Sequence, residues 1–203
     1  IDRVATPYDN LPEAHFAMAQ AAANAGDNLR ALNETEKALQ LRPDWETAAL
    51  ARAQLQAKQS AQTAIDSLSS FVEANPAARD ARLALARLLI SEKRYDDARG
   101  QFDRLLKDNP DNPEVIYPVA MLALQHGDTT TGRKQLEHLL STEFSDKSTI
   151  HFFLGQLDQE QKQTDDALAH YHQVTTGEQY IPARSRTAQI LVQQGKINEA
   201  RDV

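Results

Sequence analysis

The feature that most constrains the fold is a pair of ladders of small residues, which recur along the chain at a nearly constant spacing. The first ladder has spacings of 34, 33, 34, 35 and 33 residues and consists of Ala19, Ala53, Ala86, Ala120, Gly155 and Ala188. The second has spacings of 33, 34, 34, 35 and 33 residues and consists of Ala31, Ala64, Ala98, Gly132, Ala167 and Ala200. Two ladders with one period indicate a repeat architecture, in which each unit buries its apolar face against the next.

Each repeat reads as two amphipathic helices. In the stretch 79–112, Leu85, Ala86 and Leu89 share one helical face, and Ala98 and Phe102 share another, at the spacing typical of a half-buried helix. A small residue allows the two helices to approach closely, and a large residue four positions later fills the space against the next pair. These large residues are Leu68, Phe102, Leu136 and Tyr171. Prolines at positions 43, 76 and 110 close the first three copies.

Composition excludes several classes of partner. The 203 residues include only 7 glycines and 6% aromatic residues, which favours helices over strands. A net charge of -7 argues against nucleic acid or an anionic membrane surface as the main partner. There is no cysteine, and no apolar run approaches the ~20 residues of a membrane span. The chain begins at Ile1 without a signal pattern, so we expect any targeting segment to lie upstream in a longer chain.

The sequence contains no pattern of catalytic or metal-binding residues. The six histidines (15, 126, 138, 151, 170 and 172) form no pair at the spacing of a helical metal site. Acidic pairs such as Asp96-Asp97 and Asp165-Asp166 open second helices, where carboxylates complement the helix dipole. We therefore expect no metal, no cofactor and no enzyme activity.

The period and these positions resemble the tetratricopeptide repeat (TPR) family. The resemblance implies an all-α fold, an α-solenoid of stacked helix-turn-helix units wound as a right-handed superhelix. A lead-in of residues 1–11 would precede a single array, 12–203, of about five and a half repeats. The predicted repeats are 12–45, 46–78, 79–112, 113–147, 148–180 and a truncated 181–203.

Some positions depart from the regular pattern. Asn10 is expected to cap the first helix, and the second copy is expected to have a turn one residue short at 58–62. The fourth copy has Gly132 in place of alanine and no closing proline, so its connection 141–148 is expected to be polar and irregular. Pro118 lies inside a predicted helix of the same copy and is expected to bend it.

The resemblance also implies that first helices line a concave groove and that four positions of each repeat face it. Those positions form an apolar strip bordered by glutamines, which is typical of a protein-binding surface. Capture of two carboxylates, known in this family, is disfavoured because the first copy has Phe16 and Gln20 in place of the charged residues it uses. The predicted groove residues are Phe16, Gln20, Leu50, Gln54, Leu83, Arg87, Ile90, Tyr117, Met121, Leu124, Phe152, Gln156 and Gln189.

These features predict a non-catalytic scaffold or adaptor that binds a protein or peptide in its groove. The stretches 85–99 and 154–171 are similar to bacterial outer-membrane TPR lipoproteins that act as adaptors for a carboxyl-terminal processing protease. That resemblance implies a periplasmic location, a lipid anchor upstream, and the protease and its substrates as partners; a cytoplasmic location is the alternative. Alternative functions are a self-assembly module, which would form homo-oligomers, and a regulatory domain of a larger enzyme.

Overall fold

A computed structural model of the protein describes residues 10–203, and over those residues the chain forms twelve α-helices and no β-strand. The predicted all-α fold is confirmed. Of the predicted lead-in, residues 1–9 lie outside the described part. The helices are α1 (Pro12–Asn24), α2 (Asn28–Leu41), α3 (Glu46–Ala57), α4 (Ala61–Ala74), α5 (Arg79–Ser91), α6 (Tyr95–Asp108), α7 (Pro113–Gln125), α8 (Thr129–Leu140), α9 (Lys147–Glu160), α10 (Thr164–His172), α11 (Tyr180–Gln193) and α12 (Ile197–Arg201).

The chain divides into two compact units, Ile1–Leu105 and Leu106–Val203. In the first unit α1 packs on α2 and α3 on α4, and each pair is joined to the next by the α2–α3 and α4–α5 contacts. In the second unit α7 packs on α8 and α9 on α10, with α8–α9 and α10–α11 contacts between pairs. The carboxylate of Glu46 also accepts a hydrogen bond from the backbone N–H of Ala81 at 2.7 Å, which links α3 to α5.

Short polar side chains mark where several helices begin. The side chains of Asp27, Ser60, Asp128 and Asp146 each accept a hydrogen bond from the backbone N–H three residues later. The prediction that Asn10 caps α1 is wrong, because Leu11 occupies that position and its side chain makes no such bond. Pro12 opens this helix instead, and its missing N–H is one that the first turn would leave unpaired anyway.

Five first helices end in the same way, with one residue in the left-handed conformation. The residues with positive φ are Gly26, Lys93, Gly127, Lys162 and Gly195. The next residue donates its N–H to a carbonyl five positions earlier, as Asp27 does to Ala22 at 2.9 Å and Arg94 to Leu89 at 2.8 Å. This pair of features is the Schellman motif, which satisfies carbonyls at a helix end.

The second copy ends its first helix differently. Helix α3 has 12 residues, and its turn, residues 58–60, is as long as the turn 25–27 of the first copy. The prediction of a short turn is therefore corrected: the helix, and not the turn, has lost the residue. No residue of this turn has a positive φ, which fits the loss of the final helical position.

Small and large residues pack as the ladders predict. Leu68, Phe102, Leu136 and Tyr171 are all at least 98% buried. At Gly155 of α9 the approach to α10 is so close that a Cβ atom would lie 2.7 Å from Cε1 of the Tyr171 ring. A small side chain at the ladder position is thus a direct requirement of helix packing.

The fourth copy is less irregular than its sequence suggests. Helix α7 continues without a break through Pro118 from residue 113 to 125, and a bend at that residue stays a prediction. The connection 141–146 contains Phe144, which is half-buried and stacks on the ring of Tyr117 with centroids 5.6 Å apart. This aromatic contact holds the connection against α7 although no proline closes the repeat.

Candidate functional site

A cleft of about 500 Å³ opens between α1 and α3 in the first unit. Its apolar lining comes from Phe16, Ala19 and Ala23 on α1 and from Ala51 and Leu55 on α3. Alanines keep the opening wide, because any larger side chain at these positions would project into it. The remaining lining residues are polar: Gln20, Asn24, Thr35, Gln54 and Lys58.

The base of this cleft is rigid. Phe16 is only 8% exposed, and its ring packs against Trp45 with centroids 4.8 Å apart. The guanidinium of Arg42 lies 4.6 Å above the same indole and pairs with Glu13, so that Trp45 contacts both Phe16 and Arg42. Backbone hydrogen bonding and Arg42 together lower the pKa of the Glu13 carboxyl, so the pair stays ionised to a lower pH than an isolated glutamate would.

The rim of the cleft offers hydrogen-bonding groups and one charge. Gln20 and Gln54 are exposed on facing helices, and Asn24 extends the polar edge along α1. Thr35 is buried, and its hydroxyl donates to the carbonyl of Ala31 at 2.7 Å. Lys58 is the charged residue of the lining, and within the described part of the chain it forms no salt bridge. The rim therefore combines amides with an unpaired cation.

A smaller cleft of about 290 Å³ lies between α9 and α11 in the second unit. Its lining is polar and consists of Gln156, Gln159, Glu160 and Arg186. The carbonyl oxygen of Gln159 accepts from the hydroxyl of Tyr171 at 2.9 Å and from Arg186 at 3.2 Å, which fixes the amide and the guanidinium together. Burial raises the pKa of Tyr171, so this hydroxyl remains a donor.

Comparison with known proteins identifies the architecture. Residues 55–122 match the family model of the tetratricopeptide repeat. The fold is that of a tetratricopeptide repeat protein. A TPR repeat-containing protein of Pseudomonas aeruginosa is 44% identical over 50 residues, which are 25% of this chain and 8% of that protein. The chain thus spans a small part of that relative's length.

Solved structures agree with the tetratricopeptide fold. A tetratricopeptide repeat protein of Parabacteroides merdae superposes with a TM-score of 0.68 at 16% identity, over 94% of this chain and 76% of that one. YrrB, described as a TPR protein with an unusual peptide-binding site, superposes with a TM-score of 0.64 at 16% identity, over 92% and 93% of the two chains. At these identities the likeness concerns the fold alone.

The predicted groove residues of this tetratricopeptide fold differ widely in exposure. Gln20, Gln54, Arg87 and Gln189 are exposed. Leu50, Ile90, Tyr117, Met121, Leu124 and Gln156 are half-buried. Phe16, Leu83 and Phe152 are buried. The amides of the strip are therefore available to a partner, whereas its largest apolar side chains mostly pack within the protein.

The apolar residues of the second unit show this packing clearly. Tyr117, Met121 and Leu124 pack on a core cluster that includes Ile116 and Leu136. The Phe152 ring lies 5.9 Å from the ring of Tyr171 and belongs to a separate buried cluster. In the first unit the cleft unites three predicted residues, Phe16, Gln20 and Gln54.

Several residues that line the two clefts are not among the predicted groove residues. Asn24 and Lys58 lie one residue beyond the last of the four groove positions in their repeats, at equivalent places. In the smaller cleft, Gln159 occupies the fourth groove position of its repeat, and Arg186 directly follows the second groove position of its own repeat. Asn24 and Lys58 occupy the same position in their two repeats. Extending the set of groove positions by one residue at the end of each first helix would have predicted both.

Over residues 10–203 no three histidine, cysteine or acidic side chains converge to hold a metal ion. Among the same residues no helix is both long enough and apolar enough to cross a bilayer. The acidic pairs of α6 and α10 lie in the first helical turns, as predicted.

Proposed function

We propose that the protein is a non-catalytic scaffold that binds an extended segment of a partner protein in the cleft between α1 and α3. The observation that carries this proposal is the convergence of Phe16, Gln20 and Gln54 on one opening with an apolar base and an amide rim. A small apolar side chain of the partner would enter between the alanines of the two helices. Such a side chain gains about 25 cal/mol for each Å² of apolar surface removed from water.

The rim suggests how the partner is oriented. A side-chain amide offers a donor and an acceptor together, which matches the alternating groups of an extended peptide backbone. Each net hydrogen bond of this kind contributes about 0.5–1.5 kcal/mol. The unpaired ammonium of Lys58 favours a carboxylate at the adjoining end of the segment.

The class of function is consistent with the comparisons. Tetratricopeptide repeat proteins bind protein or peptide partners, and YrrB is itself described by its peptide-binding site. The residues that line the cleft are particular to this chain, and we do not expect its ligand to be the one that YrrB binds.

The test is affinity purification from cell extract with matched variants, followed by peptide-binding measurements on the partner recovered. Filling the cleft with Ala51→Phe, or removing its amides with Gln20→Ala and Gln54→Ala together, should weaken binding at least tenfold. Ala21→Phe on an exposed face of α1 and Gln62→Ala on α4 are the controls and should bind normally. Circular dichroism verifies that each variant is folded. Equal recovery of the same partners by all variants would refute the cleft assignment.

We further propose that the partner is a carboxyl-terminal processing protease of the bacterial periplasm, with the chain held at the outer membrane by an upstream lipid anchor. The support is the similarity of stretches 85–99 and 154–171 to lipoprotein adaptors of this kind. The purified chain should raise the rate at which such a protease degrades its protein substrate. Failure both to recover a protease from envelope extract and to change its rate would reject this version and leave the scaffold proposal intact.

Self-association is a second candidate. Helices α11 and α12 expose the large apolar residues Ile181, Val192 and Ile197. Sedimentation velocity over a hundredfold range of concentration tests it directly. A single monomeric species throughout would exclude self-assembly.

A further inference from the structure

Asp158 of α9 is a buried carboxylate that is only partly satisfied. It is 1% exposed, and its Oδ1 atom accepts from the Arg133 guanidinium of α8 at 2.6 Å. Its Oδ2 atom is buried and has no hydrogen-bond partner among residues 10–203. The Nε2 atom of His170 on α10 lies 3.7 Å from this oxygen. A buried acceptor without a donor is destabilising, so this arrangement requires an explanation.

The opposite side of the His170 ring faces a second imidazole. Nδ1 of His170 lies 3.0 Å from Nδ1 of His151, which is half-buried on α9. At this distance the two nitrogens can share one proton, with one ring donating and the other accepting. Two protonated rings would place two N–H donors against each other. The geometry therefore accommodates one proton between the rings and excludes a second.

A positive charge on His170 suits the remaining contacts. A protonated ring has N–H groups on both nitrogens, so it can donate to His151 on one side and turn Nε2–H toward the unsatisfied oxygen of Asp158 on the other. His151 has no such counter-charge. Burial, the neighbouring His170 and Lys147 lower the pKa of His151.

We propose that Asp158, His170 and His151 form an acid-sensitive latch that takes up one proton and resists a second. The first proton satisfies the buried carboxylate and joins α9 to α10. A second proton forces the two imidazoles apart and loosens the same pair of helices. Because Arg133 connects Asp158 to α8, the latch reaches across the α8–α9 connection, where no proline closes the repeat.

The charged groups around the latch are few. From α8, Arg133 contacts Asp158 and lies 3.8 Å from Glu137. From α9, Lys147 acts on His151. From α11, Arg186 reaches Tyr171, the residue after His170, through Gln159. Asp158 is thus the carboxylate nearest to the histidine pair, and the surrounding cations all oppose a second positive charge.

The direction of the pH effect follows from His151. Because its pKa is lowered on folding from an ordinary value of about 6.5, the native state binds fewer protons than the unfolded state below that pH. The contribution of His151 to stability is then complete above about pH 6.5 and is lost as the pH decreases toward the folded value. One excluded proton corresponds to a change of up to tenfold in the unfolding equilibrium constant for each pH unit.

The experiment measures urea unfolding of the full chain between pH 7.5 and 5.5, together with NMR titration of its histidines. In the wild type the unfolding equilibrium constant should rise as the pH falls. His151→Gln should make this rise smaller by up to tenfold for each pH unit, and Asp158→Asn should make it larger. His172→Gln is the matched control, since His172 is exposed on α10 and bonds only the carbonyl of Leu168 among the described contacts. NMR of the wild type should show the His151–His170 pair taking up one proton, and not two, in this pH range.

Three outcomes would overturn the latch. His151→Gln could retain the full acid dependence, or the control could remove as much of it. Alternatively, NMR could show His151 and His170 titrating independently with two protons bound in the folded state. If Asp158→Asn does not fold, the titration of the wild-type histidines still decides the matter.

Discussion

Replacing the ladder glycine of α9 tests the packing argument most directly. An exposed helical Gly→Ala change stabilises a helix by about 1 kcal/mol, because glycine loses more backbone freedom on folding. At Gly155, however, the new methyl group would lie 2.7 and 2.8 Å from Cε1 and Cδ1 of Tyr171. That ring is 2% exposed and its hydroxyl is held by Gln159, so it cannot move freely. Overpacking of this kind costs about 1–3 kcal/mol.

The two effects together predict that Gly155→Ala destabilises the protein by up to about 2 kcal/mol. Two other glycines provide the comparison. Gly100 of α6 has open space around it, so Gly100→Ala should stabilise by about 1 kcal/mol. At Gly132 of α8 the methyl group would lie 2.6 Å from Cγ of Leu124 and closer still to its Cδ2. Because this aliphatic side chain is only half-buried, it is displaced more easily than the buried Tyr171 ring, so Gly132→Ala should fall between the other two.

The assay is urea unfolding followed by circular dichroism, with hydrogen exchange of α9 and α10 amides as the local measurement. A double-mutant cycle with Tyr171→Leu assigns the cause, since the cost of Gly155→Ala should shrink once the ring is gone. If Gly155→Ala stabilises the protein as much as Gly100→Ala does, close approach of α9 and α10 is not what selects glycine there.

Two further perturbations test individual contacts. Arg82 is 5% exposed and donates to the Gln101 side chain at 2.9 Å and to the backbone carbonyls of Val72 and Pro76. Arg82→Met should therefore lower the free energy of unfolding, measured in urea, by roughly 2–4 kcal/mol. A loss below about 0.5 kcal/mol would contradict this. Glu46→Ala removes the acceptor for the N–H of Ala81 and should lower the free energy of unfolding by about 1–2 kcal/mol. Glu46→Gln retains an acceptor and should lower it less. Equal losses of stability in a thermal melt would show that the charge, and not the hydrogen bond, matters.

The fold was predictable because its cause is periodic. The ladder residues recur in six copies and the large residue four positions later in four of them, so the sequence repeats the same information about helix packing. Helix ends were harder to place. Lys93 and Lys162 adopt the left-handed conformation that glycine adopts in the equivalent turns, and a lysine carries no local signal for it.

The candidate site was predictable only in part, because position on a helix does not determine exposure. Tyr117 occupies a predicted groove position, yet Phe144 from an irregular connection covers its ring. Conversely, Lys58 lines the cleft from the turn after α3, one residue beyond the last predicted groove position of its repeat. The histidine latch was missed for a different reason: His170 and His151 belong to different helices, and only their packing brings the rings together.

Packing between neighbouring helices has a consequence for how the chain is made. The link between Glu46 and Ala81 spans 35 residues, and the helix pairs themselves need still shorter stretches. Ribosomes add about 5–20 residues per second, so such a link becomes available about 2–7 s after its first residue is synthesised. Chains rich in local contacts fold in microseconds to milliseconds, far faster than that. Each helix pair can therefore form while the next is being translated, and apolar ladder faces spend little time exposed on the nascent chain.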